Sequence, residues 1–345
     1  MKIRGGRNCL RGSVSVQHLL TRNFRGENFR FFASDSSAFD HISFIKDVAA
    51  TRPPVHLSCL MKMLQIRGES IISPGAKQGF IPIVVPLTRN SSGALTALLR
   101  WPTAPPGLEL PVVEVCKHGI RVLAKDVDHY IHRILVEEDV NGSSKSNPEV
   151  FEVSSEAGEN CYKKGDFIKS QISNLDDYLL RKVGLFPDVL ERKVMHYYEK
   201  GDHVSALVMG DFYTKKEHFL GIGRPFVFNA EVLLKLGRDL EAKNAARGAL
   251  KSPWWTLGCR YQEVASIAQW DVEPIEDTKK RLSKERRQED LSNGKSPEQI
   301  AIDEAASLLN LASVDGTWDQ YTEDIAECYK TAGLHDIARF VNYRE

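Results

Sequence analysis

The chain has 345 residues, enough for two domains, and its 46 basic and 46 acidic side chains leave it with no net charge. The first 32 residues carry a charge of +6 and the remainder −6, and an acidic remainder lacks the basic surface that nucleic-acid binding requires. The sequence contains no apolar run of about 18 residues to span a membrane, and its six scattered cysteines predict neither a zinc site nor a disulfide framework.

The first 32 residues predict an organelle transit peptide. They contain six arginines against one acidic residue, Glu27, and no apolar core of a secretory signal. The run from Arg30 to Phe32, followed by Ala33, resembles the plant mitochondrial cleavage pattern and predicts cleavage after Phe32. We therefore expect the protein in the mitochondrial matrix, with the chloroplast stroma as the alternative. A disordered basic tail would have the same composition.

Residues 33–140 predict an α+β N-terminal domain of two layers, in the order helix, four strands, helix. A polar lead-in over residues 35–55 precedes a first apolar stripe at helical spacing. Strand signals, rich in apolar and branched residues, follow and are separated by turns. Asp126 can cap a closing helix with a second stripe. The first stripe is Leu57, Leu60, Met61 and Leu64, the strand signals are residues 81–87, 95–101, 111–116 and 120–124, and the second stripe is Val127, Ile131, Ile134 and Leu135.

Residues 141–165 are rich in Ser, Asn, Gly, Lys and Glu and predict a linker, and residues 166–345 predict an all-α, tetratricopeptide-like helical domain. Three glycines each precede an alanine by five residues, a pattern in which glycine permits a turn and alanine permits close approach of two helices. The first two glycines are 36 residues apart, near the period of about 34 residues in tetratricopeptide repeats. An ordinary helical bundle with glycine turns is the alternative. The pairs are Gly201 with Ala206, Gly237 with Ala242, and Gly333 with Ala338.

The motifs of catalysis and cofactor binding are weak in this sequence. His129 and His132 lie three residues apart on a predicted helix, but no further metal ligand accompanies them, and an exposed polar face explains them as well. The run Gly221–Pro225 lacks the third glycine and the preceding strand of a phosphate loop, which favours a hinge. No nucleophile elbow, Walker loop or dinucleotide fingerprint is present. We therefore predict no catalytic, cofactor-binding or metal site, and a protein that is not an enzyme.

The most distinctive local feature is the aromatic run from Pro253 to Tyr261. Adjacent tryptophans fill a core where the segment is covered on two sides, whereas Trp and Arg are also the residues that partner grooves favour. Because the run flanks the predicted helix pair at residues 225–252, we predict four partner-binding residues around that pair. They are Arg224, Trp254, Trp255 and Arg260.

Six segments resemble a family of plant organellar assembly factors for the catalytic head of chloroplast ATP synthase. The resemblance extends over roughly residues 43–345, and factors for photosystem II accumulation are a less similar second family. The resemblance to the first family implies a non-enzymatic protein that binds ATP synthase F1 subunits or chaperones. That family has no catalytic motif that could be assigned to residues of this chain. The presequence departs from this family because it looks mitochondrial. The segments are residues 71–79, 97–102, 130–138, 223–231, 249–259 and 325–329.

Three functions fit these observations. The first, which we favour, is an organellar assembly factor, because helix-pair repeats form concave surfaces suited to holding a protein subunit. The second is an enzyme with a dispersed site near residues 221–224. The third is an organellar RNA-binding helical repeat, which the charge of −6 disfavours.

Overall fold

The structure is a computed structural model that describes residues 34–104, 110–141, 148–154, 161–270 and 272–345. Its strands are β1 (Ser70–Ile71), β2 (Val84–Arg89), β3 (Leu95–Leu99), β4 (Val112–Cys116) and β5 (Gly119–Ala124). Its first helices are α1 (Ser34–Asp47), α2 (Leu57–Ile66), α3 (Val127–Asn141), α4 (Pro148–Ser154), α5 (Asp166–Lys169) and α6 (Leu175–Tyr178). The remaining helices are α7 (Pro187–Glu199), α8 (His203–Tyr213), α9 (Arg224–Lys235), α10 (Asp239–Ala249), α11 (Tyr261–Ala268), α12 (Glu273–Arg281), α13 (Lys284–Ser292), α14 (Pro297–Asp315), α15 (Trp318–Thr331) and α16 (His335–Asn342). The predicted transit peptide lies outside the described residues.

The five strands form one antiparallel sheet in chain order, so each strand pairs with the next. The turn between β2 and β3 shows why neighbours pair. The side-chain oxygen of Asn90 accepts the backbone N–H groups of Ser92 and Ala94 at 3.0 and 2.9 Å, and Gly93 adopts a φ of +86°. This turn satisfies its own polar groups and returns the chain beside itself.

The predicted fold class, an α+β region followed by helices, is confirmed. The structure adds a fifth strand, β1, whose two residues are too few to give an alternating pattern. It also places helix α1 in the predicted polar lead-in, where buried Phe44 and Ile45 join the core. At the predicted linker, the hydroxyl of Tyr162 donates to Asp139 at 2.5 Å. The domain boundaries at residues 140 and 166 stay a prediction.

The sheet is covered on both faces, because every residue of β2 and β3 except Arg89 is buried. One continuous core joins the strands to α2, α3 and the last three helices.

Two hydrogen bonds attach the turn between β4 and β5 to those last three helices. The Trp318 indole donates to the Lys117 carbonyl at 2.9 Å, and a ring nitrogen of His118 lies 3.0 Å from the Ser313 carbonyl. Every helix in the described ranges is too short or too polar to cross a membrane.

Three helix pairs, α7–α8, α9–α10 and α15–α16, are each joined through one of the glycines identified in the sequence. These glycines have φ values between +70° and +76°, which only glycine adopts without strain. The paired alanines are buried at 8% exposure or less, so their small side chains permit close contact between helices. Tetratricopeptide-like character of this array stays a prediction. The residues are Gly201, Gly237, Gly333, Ala206, Ala242 and Ala338.

We expect Ala242→Leu to lower the free energy of unfolding by about 1–3 kcal/mol, because the larger side chain overpacks the α9–α10 contact. Ala242 is fully buried. Asn244→Leu, at an exposed position of the same helix, is the control and should change stability by about 0.5 kcal/mol or less. Urea unfolding of both variants measures the difference. Equal small changes would contradict this register of the helix pair.

The C-terminal residues are attached to the loop between β1 and β2. The hydroxyl of Ser73 donates to the side chain of Glu345, and the backbone N–H of Gly79 donates to Asp319 at 3.1 Å. Lys77, only 5% exposed, donates to the Phe340 carbonyl and, at 3.2 Å, to the Pro82 carbonyl. The last turn of α16 is therefore held to the loop by a buried ammonium group.

We expect the free energy of unfolding to rise with pH because of the buried Lys77. Burial, followed by the charge of Arg344, lowers the pKa of Lys77 from 10.5 to about 7 in the folded protein. Between these values the unfolded chain binds the extra proton, so raising the pH favours folding. Below about pH 7 the cost of burying the ammonium is fully present. Between pH 6 and pH 9, the free energy of unfolding of the native protein should rise by about 1–3 kcal/mol more than that of Lys77→Met.

Chemical denaturation across this pH range measures the effect. Lys216→Met, at an exposed site, is the control and should leave the pH slope of the native protein unchanged. A native protein and a Lys77→Met variant with parallel pH profiles would contradict the assignment of the slope to Lys77.

Candidate functional site

A cleft of about 760 Å³ opens beside the aromatic run identified in the sequence. Four of the five tryptophans and one tyrosine line it, so we call it the aromatic cleft. Its members come from the segment after β3, from the segments on either side of α11, and from α12, α14 and α15. The lining residues used below are Trp101, Lys251, Trp254, Trp255, Trp270, Glu273, Asp277, Arg281, Asn310 and Tyr329.

The segment that carries Trp254 is fixed by its own polar groups. The backbone N–H of Trp254 donates to the Asn310 side-chain oxygen at 2.8 Å, and its indole N–H donates to the Leu250 carbonyl at 3.0 Å. The hydroxyl of Thr256 donates to the Pro253 carbonyl at 2.6 Å and accepts the backbone N–H of Gly223 at 2.8 Å. These bonds explain why the chain turns here instead of extending α10, and they hold both tryptophans in place.

The two buried tryptophans of the cleft connect it to the sheet and the helices. Trp255 is 2% exposed, and its ring meets the edge of Trp101 with centroids 5.1 Å apart. Trp254, 4% exposed, packs against Tyr261 with centroids 4.5 Å apart. These rings form the floor of the cleft. Truncating either side chain would therefore destabilise the core as well as alter the surface of the cleft.

Trp101 and Trp270 are half-buried, so their rings are open to a bound molecule. The indole N–H of Trp101 donates to the Thr103 hydroxyl at 3.1 Å. The guanidinium of Arg247 lies 4.8 Å from the centre of the Trp270 ring, and its Nε donates to the Ala268 carbonyl at 3.0 Å. These contacts fix the orientation of both rings.

Tyr329 lines the same cleft at 2% exposure, and burial raises the pKa of its hydroxyl. That hydroxyl has no hydrogen-bond partner among the residues that the structure describes. Tyr329 thus offers a neutral hydroxyl that a ligand in the cleft could engage.

The rim of the cleft carries charges of both signs. Lys251 and Arg281 are exposed, and neither forms an ion pair with a described residue. Asp277 lies 3.8 Å from Lys280 in an exposed pair, which contributes little to stability. Glu273 is also exposed. The rim is therefore polar, and its cations remain available to a ligand.

The four predicted partner-binding residues do not form one surface. Trp254 and Trp255 line the cleft but are buried. Arg224 binds Glu191 through two bonds of 2.8 Å and Glu231 at 3.1 Å. These partners raise the pKa of Arg224 against the opposing effect of burial.

Arg224 therefore ties α9 to α7, while Arg260 is exposed at the start of α11 and has no carboxylate partner in the described ranges. Their role in partner binding stays a proposal. The sequence pattern did not assign Trp101, Trp270, Asn310 or Tyr329 to a site. The aromatic run from Pro253 to Tyr261 pointed to this region of the chain.

The weaker sequence signals have structural roles. A ring nitrogen of His129 lies 2.7 Å from the carboxylate of Asp126, which also accepts the His129 backbone N–H. Hydrogen bonding to that carboxylate, despite burial, raises the pKa of His129. In the ranges that the structure describes, no three or more His, Cys, Asp or Glu side chains are placed to hold a metal ion. Gly221, with a φ of +73°, lies against the Trp101 ring just before α9.

Three family models match the chain in succession. They are described as PAB N-terminal (residues 39–182), PAB middle domain (residues 187–271) and PAB C-terminal domain (residues 275–344). The chain is also 58% identical to Protein IN CHLOROPLAST ATPASE BIOGENESIS, chloroplastic, from Arabidopsis thaliana, over 334 residues. The match covers 97% of this chain and all of that relative. No solved structure matches.

The predicted mitochondrial matrix location is wrong, because this relative is a chloroplastic protein. The two kinds of presequence share an Arg- and Ser-rich, acid-poor composition, so the composition of residues 1–32 could not separate them. The prediction then depended on the short pattern from Arg30 to Phe32, which is too brief to decide the organelle.

Proposed function

The chain belongs to the PAB family, and we propose that it is an assembly factor for the chloroplast ATPase that works in the chloroplast stroma. The observation that carries this proposal is 58% identity over the whole length of a relative named for chloroplast ATPase biogenesis. We propose further that it acts by binding proteins, with F1 subunits as the partners, and that it catalyses no reaction.

The pKa values of four thiols disfavour a catalytic cysteine. Burial raises the pKa of Cys259 to about 12 and that of Cys328 to about 11, and it also raises the pKa values of Cys116 and Cys161. A catalytic cysteine needs the opposite shift, because the thiolate is the reactive form. These four side chains are therefore neutral at physiological pH.

The aromatic cleft supports a protein-binding role. Protein interfaces concentrate their binding energy in aromatic and arginine side chains within desolvated pockets, surrounded by a polar rim. The cleft has aromatic walls and a polar rim of this kind. We propose that Trp254 and Trp255 support this surface from beneath. Arg260 would contribute an exposed charge at the start of α11, and Arg224 would keep the helix pairs in position.

Expression of this chain in Arabidopsis thaliana plants that lack the relative tests the proposed function. We expect the amount of assembled chloroplast ATPase, measured on native gels, to return toward the normal level. The same chain without residues 1–32 is the control and should not restore it, because that form lacks its import signal. A full-length chain that accumulates in chloroplasts without raising the ATPase level would contradict the proposal.

Affinity purification of the tagged chain from those chloroplasts tests the proposed partners. We expect mass spectrometry to identify F1 subunits in stoichiometric amounts. Recovery of transcripts in place of these subunits would favour RNA binding, and a co-purifying small molecule would favour an enzyme.

A further inference from the structure

We propose that the aromatic cleft binds an extended, proline-containing peptide segment of a protein partner. This inference rests on the proposed function, because it assumes a protein-binding factor, and it specifies the chemistry of what is bound. Four observations carry it: the volume of the cleft, its open aromatic rings, its available hydrogen-bond donors and the charges of its rim.

The aromatic rings provide the surface that a proline-rich segment needs. A polyproline II segment presents flat, rigid rings, and aromatic-lined grooves accept such rings at a small entropic cost. Trp101 and Trp270 are the two half-buried rings of the cleft, and both are held in orientation by neighbouring groups. The cleft volume of about 760 Å³ is within the range of a ligand site and accommodates several residues.

Several polar groups in the cleft can donate hydrogen bonds to a ligand. The indole N–H of Trp270 and the hydroxyl of Tyr329 have no partner in the described part of the chain. The Asn310 side-chain oxygen already accepts the Trp254 N–H, which leaves its NH₂ group to donate. The cations at the rim, Lys251 and Arg281, can only donate.

These donors match the polar groups of a proline-rich segment. Proline has a carbonyl acceptor but no backbone N–H, so such a segment offers acceptors with few donors of its own. It therefore leaves few backbone N–H groups that would weaken binding if they were buried without an acceptor. The carboxylates of Glu273 and Asp277 lie at the rim, so we expect a basic residue beside the prolines.

Titration of the full mature chain with two synthetic octapeptides tests the proposal. The probe has the sequence Ac-Arg-Ala-Pro-Pro-Leu-Pro-Pro-Ala-amide, and the matched control has alanine at every proline. Indole N–H signals in nitrogen-15 spectra provide the readout, because the chain has five tryptophans. We expect the proline peptide to shift the Trp101 and Trp270 signals. Trp318, whose indole is bonded to the Lys117 carbonyl, is the internal reference and should not move.

Two tyrosine variants separate binding from stability. Tyr329→Phe removes a hydroxyl without a partner, so we expect unchanged unfolding and about 3–10-fold weaker binding of the proline peptide, the effect of one hydrogen bond. Tyr213→Phe removes a buried hydroxyl that lies 3.1 Å from a carboxylate oxygen of Glu191, far from the cleft lining. This control should lose stability and keep its affinity for the peptide.

Equal affinity for the two peptides, or no binding at millimolar concentration, would overturn the proposal. The same holds if Tyr329→Phe binds the proline peptide as tightly as the native protein does. These results are distinguishable from failure of the proposed function. If the chain restores the ATPase in plants but does not bind the proline peptide, its assembly role stands. Only the assignment of the cleft is then wrong.

Discussion

Trp255→Ala is expected to lower the free energy of unfolding by about 3–5 kcal/mol, the range for deleting a large aromatic side chain from a core. Trp255 is 2% exposed, and its ring packs on Trp101 at 5.1 Å between centroids. Because neighbouring groups are fixed by backbone hydrogen bonds, they should collapse only partly into the space left behind. A domain with about 5–15 kcal/mol of stability would lose a large fraction of it.

Arg260→Ala, five residues later, is the matched control for this prediction. Arg260 is exposed and makes no ion pair with a described residue, so its removal should change stability by about 0.5 kcal/mol or less. Thermal and denaturant unfolding measure both variants, and affinity purification of F1 subunits reports on partner binding. A folded Trp255→Ala protein of normal stability would show that the ring belongs to a surface, as the partner-groove interpretation of the sequence requires.

The sequence predicts well where a pattern is local. The strand signal around Leu95, the helical stripe around Ile131 and the turn glycines such as Gly201 each depend on residues a few positions apart, and the structure contains these elements. Helix α1 is missed because much of its sequence is polar, although Phe44 and Ile45 in its second half are buried.

The candidate site could not be predicted in the same way, because its parts are distant in sequence. Trp101, Trp270 and Tyr329 come from three regions, and only tertiary packing brings them to one cleft. The same limit applies to Arg224, which reads as a free arginine in sequence and is paired with Glu191 in the structure. The sequence contains five tryptophans, but it does not reveal which of their rings remain open to a ligand.

The second large effect is expected for Gly119→Ala, at the turn between β4 and β5. Gly119 has a φ of +140°, and an added Cβ atom would lie 2.0 Å from the carbonyl oxygen of Trp255. The contact is with backbone, so no side-chain rotation can relieve it. Backbone strain costs about 1–3 kcal/mol and overpacking about as much again, so we expect a loss of about 2–6 kcal/mol.

Gly93→Ala separates the two causes, because Gly93 also has a positive φ, +86°, but its added Cβ would meet nothing within 4 Å. This control should show the strain alone, about 1–3 kcal/mol. The excess loss in Gly119→Ala then measures how closely the sheet approaches the Trp255 backbone. Because that backbone supports the floor of the aromatic cleft, Gly119→Ala should also shift the Trp255 indole signal while Gly93→Ala leaves it in place. Equal losses in the two variants, with no change at Trp255, would mean that the sheet does not support the cleft.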